Sequence, residues 1–292
     1  MTPALAIVGP TASGKSALAL ELARRTPGTG IVSADAMQVY RGMDIGTAKP
    51  SPAERAEVPH HLVDVADPWE DYSLARYLDD ARVAITETTV LVGGTGLYVR
   101  GVVDELEVPG RWPEVRAELE VEPDTAALHG RLAELDAVAA ARMEPTNRRR
   151  IVRALEVTIG AERPFSSFGP GLGAYPTIVT RQVGLALPLD LLDERIERRL
   201  HAMLDAGLLA EVERLASDPR GLSRNARQAL GYRELLAHLD GEVPLATAID
   251  DIVTRTRRFA RRQLRWFRRD PRVSWIDGRM SPADLAELTT RH

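Results

Sequence analysis

Eight consecutive residues near the start of the chain have the pattern of a phosphate-binding loop. They read GPTASGKS and match G-x-x-x-x-G-K-[S/T], between an apolar run at 4–8 and an alanine- and leucine-rich run at 17–23. The flanking runs predict a buried parallel strand and a helix, and glycine permits the positive φ that lets backbone N–H groups surround an anion. The alternative is a glycine turn that only connects strand and helix. The predicted anion site comprises Gly9, Pro10, Thr11, Ala12, Ser13, Gly14, Lys15 and Ser16.

Two side chains in this loop have the chemistry of phosphate binding. Lys15 supplies a mobile positive charge, and the hydroxyl of Ser16 is a ligand for Mg²⁺. The chain has 38 lysines and arginines, but only Lys15 and Lys49 are lysines. Because arginine is used almost everywhere else, a lysine in the loop indicates a place where a compact ammonium suits a phosphate. Lys49 is left open between a solvated surface lysine and a functional residue.

Polar residues follow two further predicted strands. The run 30–35 reads as a strand that ends at Asp35, and the next buried strand runs into Gly93, Gly94 and Thr95. Ligands bind at the carboxyl ends of strands in open α/β sheets, so Asp35 is expected near the phosphate-binding loop as an acid or base. The alternative is a cap of the following turn. The glycines are expected to let a ligand approach the backbone, at a position where ATP- and GTP-hydrolysing P-loop proteins place an acidic residue.

Length and composition are those of a soluble globular protein. The 292 residues are 44% hydrophobic and 27% charged, with a net charge of −4. The absence of cysteine excludes disulfides, zinc–thiolate sites and thiol nucleophiles. No apolar run approaches the roughly 18 residues of a membrane span, and the first strand leaves no room for a signal peptide. We therefore expect a cytoplasmic protein without membrane contact, and a monomer.

The pattern of elements predicts an α/β fold, with a P-loop NTPase-like parallel sheet flanked by helices and an inserted all-helical subdomain. Residues 109–176 are rich in charged residues, alanine and leucine at helical spacing and contain no convincing strand. The P-loop core domain is therefore expected at 1–108 and 177–292, ending in basic helices, and the insert at 109–176. Within the insert, the glycine- and proline-containing stretch 163–176 is predicted to be a mobile loop.

Arginine is concentrated in two predicted helices. One begins at Thr146 or Asn147 and has four arginines between 148 and 153, where a cation opposes the helix dipole unless an anion faces it. The other spans 250–269 and has arginine on most faces without matching acids. A solvated surface is the usual explanation of such a helix, but the missing acids favour an RNA-facing helix.

Ordered motifs across nearly the whole chain resemble those of the tRNA dimethylallyltransferases, also called tRNA isopentenyltransferases. They are GPTASGKS, SADAMQVYRGMDIGTAKP, PHHLVDV, LVGGTGLY, RRRIVRALE, QALGYRE and the arginine-rich last helix. No Cys/His zinc finger follows that helix, which resembles the bacterial members. The resemblance implies transfer of a dimethylallyl group from dimethylallyl diphosphate to N6 of the adenosine 3′ of the tRNA anticodon. It also implies Mg²⁺ as the cofactor and the anticodon stem-loop of tRNA as the partner.

The resemblance further implies roles for individual residues. Asp35 is the general base that takes the N6 proton, Thr95 lies beside the reacting centre, and Lys15 and Arg199 bind the diphosphate. Ser16 binds the metal, and the target base leaves its stack to reach the loop. Ala36 stands where the family commonly has serine, which puts one hydrogen bond near the base in doubt. The residues implied to contact tRNA are Asp35, Ala36, Met37, Gln38, Thr95, Arg116, Arg149, Arg150, Arg153, Gln228, Gly231, Tyr232 and Arg233.

Two other classes of protein remain open at this stage. A P-loop kinase of a small metabolite would use the same loop for ATP, and it predicts tight ATP binding instead of a preference for an allylic diphosphate. An RNA-binding protein that kept the fold and lost the chemistry would bind tRNA without modifying it. Substitution of Asp35 separates this last class from a transferase.

Overall fold

The chain forms a six-stranded sheet in which all paired strands are parallel. The computed structural model describes residues 2–291. The strands are β1 (Leu5–Val8), β2 (Ile31–Ser33), β3 (His60–His61), β4 (Val90–Gly93), β5 (Arg181–Ala186) and β6 (Val273–Asp277). They lie in the order β3-β2-β4-β1-β5-β6. This confirms the predicted α/β fold with a parallel sheet.

The helices fall between the strands and after them. In chain order they are α1 (Lys15–Arg25), α2 (Pro52–Glu57), α3 (Leu74–Ala84), α4 (Gly96–Val103), α5 (Pro113–Val121), α6 (Thr125–Leu135), α7 (Ala137–Ala141), α8 (Arg148–Gly160), α9 (Leu189–Asp205), α10 (Leu208–Ala216), α11 (Arg224–Arg227), α12 (Tyr232–Leu239), α13 (Leu245–Arg268) and α14 (Pro282–Arg291). Among residues 2–291, no helix is both long enough and apolar enough to cross a membrane.

The central strands are apolar along their whole length because both faces of the sheet are covered. In β1, Ala6, Ile7 and Val8 are fully buried, and Val8 pairs in register with Gly93 of β4. Ile7 packs with Leu18 of α1 in the main core. Strands β1, β2 and β4 therefore end side by side, which brings the loops that follow them to one edge of the sheet.

The chain divides into two compact units. The first comprises the residues up to Glu105 and those from Thr177 onward, and the second is Leu106–Pro176. The sequence analysis places the first boundary three residues later, after residue 108. The second unit contains α5 to α8 and no strand among its described residues.

The second unit has a core of its own. Leu128 and Leu132 of α6 pack against Ile151 and Leu155 of α8. Asn147 caps α8, since its side chain accepts a hydrogen bond from the N–H of Arg150, and this confirms the predicted start of the helix. A 3₁₀ helix that the sequence analysis did not predict, Phe165–Phe168, lies within the stretch expected to be a mobile loop.

Strand β6 extends the sheet at one edge and was not predicted. It pairs with β5 along five residues, from Val273 to Asp277. A charged cluster lies directly before it, where Arg272 pairs with both Asp104 and Asp270, whose side chains are almost fully buried. This cluster joins the end of α4 to the chain between α13 and β6.

Candidate active site

A cavity of about 1380 Å³ lies at the carboxyl edge of the sheet in the first unit. Its walls come from the loops after β1, β2 and β4, from α9 and α13, and from the turn before α12. Eight lysine and arginine side chains line it, against two carboxylates. The cationic residues are Lys15, Arg195, Arg198, Arg199, Arg233, Arg255, Arg258 and Arg262, and the acidic residues are Asp35 and Asp251.

The phosphate-binding loop has the backbone conformation that its glycines permit. Gly9 and Gly14 have φ values of 141° and 99°, which residues with a Cβ rarely adopt. Gly14 is the residue before α1, and no acidic side chain lies in the first turn of that helix. The positive end of the helix is therefore left without a negative side chain of its own, which is the arrangement that binds an anion.

Lys15 has no ion-pair partner within the described part of the chain. Its Nζ donates to the carbonyl of Pro10 at 2.6 Å, inside the same loop. Burial, and then the charge of Arg199, lower the pKa of Lys15 to about 7, while Asp35 acts in the opposite direction. A negatively charged ligand in the loop would stabilise the ammonium form.

Arg199 reaches the loop from α9. Its guanidinium donates to the hydroxyl of Thr11 at 2.6 Å. Burial lowers the pKa of Arg199, and the nearby carboxylate of Asp35 opposes that shift. The structure thus brings together the predicted loop and three of the predicted catalytic residues, Lys15, Arg199 and Asp35, at one cavity.

Asp35 caps a turn and also lines the cavity. One carboxylate oxygen accepts the N–H of Met37 at 2.9 Å, so the residue does cap the following turn. The other oxygen accepts no hydrogen bond from the described residues, and the side chain lines the cavity. Thr95 lies beside it, because its hydroxyl accepts the N–H of Ala36 at 3.2 Å.

The glycines after β4 make room for neighbouring groups of the protein. A Cβ on Gly93 would lie 2.2 Å from the carbonyl oxygen of Ala34, and one on Gly94 would lie 2.2 Å from Nε2 of Gln263. Both glycines also line the cavity. The glycines therefore also allow the residue after β2 and the helix α13 to pack closely against this turn, and their expected role in the approach of a ligand stays a prediction.

The loop at 36–50 forms a wall of the cavity and is held by its own side chains. Gln38 accepts a hydrogen bond from Ser33 at 2.8 Å and donates to the carbonyl of Thr47 at 3.1 Å. Lys49 donates to the carboxylates of Asp44 and Asp64, and its side chain is 4% exposed. The question left open for Lys49 is thereby answered, since it is a structural residue.

Glu211 of α10 fixes the same loop from the other side. Its carboxylate accepts the three successive N–H groups of residues 44–46 and the hydroxyl of Tyr232. Tyr232 is fully buried, so its side chain is not available to RNA in this structure. This corrects the prediction of a direct tRNA contact, because the tyrosine instead supports the cavity wall through Glu211.

The other residues predicted in this segment lie at the cavity. Gln228 is exposed, and Gly231 precedes α12 with a φ of 90°. Arg233 also lines the cavity and pairs with Glu234 at 2.7 Å. The segment therefore lies at the cavity, and one of its members, Tyr232, points into the core.

The arginines of α13 divide into two groups. Arg261 forms two hydrogen bonds to Asp193 of α9, at 3.0 and 2.6 Å, and Arg257 pairs with Glu197 at 2.7 Å. The expectation that the helix lacks matching acids was wrong, since α9 supplies them. Two others, Arg258 and Arg262, are exposed, line the cavity and form no ion pair within the described chain.

The second unit shows the same division among its predicted tRNA-contacting residues. Arg116 and Arg153 both pair with the buried carboxylate of Glu156, at 3.3 and 2.8 Å. Arg149 and Arg150 are exposed and form no ion pair with any described residue. Only the latter two have an uncompensated charge to offer a polyanion.

Gln263 is a residue of the site that the sequence did not predict. Gln263 of α13 is 6% exposed and forms hydrogen bonds to both Thr11 and Gly94. The available signal was that Gln263 is the one residue with an amide side chain in this arginine-rich helix.

The comparisons with known proteins agree with this geometry. The sequence pattern of the IPP transferase family matches residues 38–270, and that of the isopentenyl transferases matches residues 3–61. The chain is 50% identical to a tRNA dimethylallyltransferase of Kineococcus radiotolerans, over 97% of this chain and 94% of the relative. It is 49% identical to one of Streptomyces avermitilis, over 97% and 92%.

A solved structure shows the same likeness in three dimensions. The full-length tRNA isopentenylpyrophosphate transferase of Bacillus halodurans superimposes with a TM-score of 0.70 and 37% sequence identity. The match covers 99% of this chain and 96% of that protein. By sequence and by fold, the chain belongs to the IPP transferase family, which includes the tRNA dimethylallyltransferases.

Proposed function

We propose that this protein transfers a dimethylallyl group from dimethylallyl diphosphate to N6 of the adenosine 3′ of the anticodon in tRNA, and releases diphosphate. The observation that carries this proposal is that a phosphate-binding loop, two cations and a carboxylate with a free oxygen all face one cavity. Membership of the family supports the same reaction.

The diphosphate end of the substrate fits the loop at residues 9–16. Backbone N–H groups, the ammonium of Lys15 and the guanidinium of Arg199 supply positive charge where the leaving group gains negative charge. The allylic C–O bond breaks and its electron pair leaves with the diphosphate. Because these donors are already held in place, stabilising the leaving group requires little reorganisation.

The amine end of the reaction fits the other side of the cavity. The lone pair of N6 attacks the allylic carbon and forms the new N–C bond, and the N6 proton passes to Asp35. One oxygen of Asp35 is fixed by the N–H of Met37, which leaves the second oxygen to accept the proton. Thr95 holds the backbone at Ala36 and so orients this turn.

Mg²⁺ is compatible with the oxygen ligands of this site. The described residues contain no group of three or more His, Cys, Asp or Glu side chains placed to bind a metal ion. Mg²⁺ commonly needs only one or two protein oxygens in addition to substrate phosphates and water, and the exposed hydroxyl of Ser16 lines the cavity. We assign Ser16 as its protein ligand, where the ion would neutralise charge on the diphosphate.

The cavity and its arginines suit an unstacked nucleotide. Its volume of about 1380 Å³ exceeds the roughly 300–1,000 Å³ of ordinary small-molecule pockets, so it accommodates a prenyl group together with a base. Arg258 and Arg262 line the cavity, and we propose that they bind RNA phosphates next to a flipped adenosine. In the second unit, Arg149 and Arg150 are the proposed RNA contacts.

The kinase alternative is not favoured. Strand β4 ends at Gly93, followed by Gly94 and Thr95, so no carboxylate stands where P-loop ATPases and GTPases hold their metal ion. We further propose that the protein acts in the cytoplasm, where its tRNA substrate is found, and as a monomer.

The direct test is incubation of the protein with Mg²⁺, bulk tRNA and labelled dimethylallyl diphosphate, followed by nucleoside analysis of the digested tRNA. We expect label in N6-dimethylallyladenosine. A parallel reaction with labelled ATP and no allylic diphosphate serves as the control for the kinase alternative. Transfer of phosphate from ATP to a metabolite, with no labelled nucleoside in the first reaction, would reject the proposal.

A further inference from the structure

Gln263 connects the two loops on which the proposed reaction depends. Its amide oxygen accepts the N–H of Thr11 in the phosphate-binding loop at 2.8 Å. Its amide nitrogen donates to the carbonyl of Gly94, after β4, at 2.9 Å. The partners fix the orientation of the amide, because the N–H group of Thr11 can only donate and the carbonyl of Gly94 can only accept.

The fit around this side chain is close. Gln263 is 6% exposed, and a Cβ on Gly94 would lie 2.2 Å from its Nε2. One turn further along α13, Trp266 packs against Gly96 in the same way, since a Cβ on Gly96 would lie 2.2 Å from the indole ring. The helix therefore rests directly on the glycine turn, and the amide of Gln263 has little freedom to move.

Each loop that Gln263 contacts leads to one side of the chemistry. Thr11 also accepts a hydrogen bond from Arg199, on the diphosphate side. Gly94 precedes Thr95, whose hydroxyl holds the N–H of Ala36, next to Asp35. A continuous set of short contacts thus runs from the leaving-group site through Gln263 to the proposed base.

The helix that carries Gln263 is itself fixed. Two residues before it on α13, Arg261 is bound by both carboxylate oxygens of Asp193 on α9, the helix that also carries Arg199. Gln263 therefore holds the two loops against a pair of helices that are themselves joined by hydrogen bonds.

We infer that Gln263 is a positioning residue that sets the separation between the diphosphate cradle and the carboxylate of Asp35. This inference rests on the proposed function. Misplacement of reacting groups by about 1 Å can cost on the order of 100-fold in rate, so a small shift of either loop matters. Both polar atoms of the Gln263 amide are engaged by these two loops, so we assign it a positioning role.

The test compares Gln263→Met and Gln263→Glu with the control Leu264→Ala. Methionine keeps the volume and removes both hydrogen bonds, whereas glutamate keeps the acceptor for Thr11 and places an oxygen against the carbonyl of Gly94. Leu264 is buried in the same helix and contacts neither loop through a hydrogen bond. Its truncation lowers stability without altering the proposed link, so it reports what a purely structural loss would do.

The measurements are kcat, the KM for dimethylallyl diphosphate and the melting temperature. We expect kcat to fall about 10- to 100-fold in both Gln263 variants, with KM changed less than about threefold. Leu264→Ala should melt lower and keep its kcat at a temperature where it is folded. If the methionine variant does not fold, the kcat and KM of the glutamate variant test the inference.

Three results would overturn the inference. One is a kcat within twofold of the parent in a folded Gln263 variant, and another is a loss confined to KM. The third is an equal loss of kcat in Leu264→Ala. A parent protein that forms no prenylated nucleoside rejects the proposed function and this inference with it, whereas an active parent with unaffected variants rejects the inference alone.

Discussion

Lys15 and Lys49, the two lysines of the chain, lie in loops that leave the positive charge in opposite states. The ammonium of Lys49 is enclosed by the carboxylates of Asp44 and Asp64, with its side chain 4% exposed. The ammonium of Lys15 donates to the carbonyl of Pro10 and has no ion pair within the described chain. A compensated cation holds a loop in place, whereas an uncompensated one is available to a ligand.

The same contrast separates the two sides of α13. Arg257 and Arg261 form ion pairs with acidic residues of α9. Arg258 and Arg262 line the cavity and form no ion pair with any residue that the structure describes. Counting arginines therefore does not identify a nucleic-acid surface, because the acids that neutralise them are on another helix.

The largest effect is expected from Lys15→Met. Transition-state stabilisation of the departing diphosphate is lost, so kcat/KM should fall about 100- to 1,000-fold. The melting temperature should stay the same or rise, because the substitution removes a cation that burial destabilises. Steady-state kinetics and thermal unfolding measure the two quantities. A Lys15→Met variant that keeps the parental kcat/KM would show that Lys15 does not stabilise the departing diphosphate.

Lys49→Met is the matched control and should behave in the reverse way. It leaves Asp64 and Asp44 without their common partner, so we expect the free energy of unfolding to drop by about 2 kcal/mol. The kcat/KM of the folded variant should fall less than about tenfold, because the substitution disturbs only the cavity wall formed by residues 36–50. Urea unfolding gives the stability. An unchanged unfolding midpoint would show that these ion pairs do not hold the loop.

The two sides of α13 can be compared in the same manner. In Arg258→Gln/Arg262→Gln, we expect the KM for tRNA to rise about tenfold and the salt dependence of binding to weaken by about two phosphate contacts. In Arg257→Gln/Arg261→Gln, the salt dependence should be unchanged and stability should drop by about 1 kcal/mol or less per pair. Binding titrations between low and moderate salt distinguish them. If the salt dependence of tRNA binding has the same slope in both double variants, the division of the α13 arginines into paired and unpaired groups is contradicted.

The smallest expected effect is a pH dependence. Burial acts to raise the pKa of Asp64, but hydrogen bonds from Lys49 and Arg55 outweigh it, so the pKa lies below its usual value. A depressed pKa stabilises the folded state above the unfolded pKa near 4, and this stability is lost as pH falls through the folded pKa. The difference in unfolding free energy between the parent and Lys49→Met should be constant from pH 7 to pH 5. It should narrow below about pH 4, and a difference independent of pH would argue against the pairing.

The parts of this protein that sequence could predict are those that depend on neighbours in the chain. The loop at 9–16, the strand that leads to Asp35 and the capped start of α8 all follow from local patterns. Arg199 was assigned to the diphosphate site from the motif resemblance, because no local sequence pattern distinguishes it from the other arginines.

The missed features depend on residues that are distant in sequence. Gln263 meets Thr11 across 252 residues, and Glu211 meets Asp44 across 167. Strand β6 is defined by its pairing with β5, since its short sequence at an edge has no strong pattern. Only the folded chain shows which polar residues are used internally.

The central claim is that a carboxylate opposite the phosphate-binding loop takes a proton from an amine of tRNA. Single-turnover transfer by Asp35→Ala, with tRNA binding measured on the same preparation, tests it most directly. We expect transfer to be slower by about 100-fold or more while tRNA binding is retained. Transfer at the parental rate by the folded variant would contradict the assignment of Asp35 as the base.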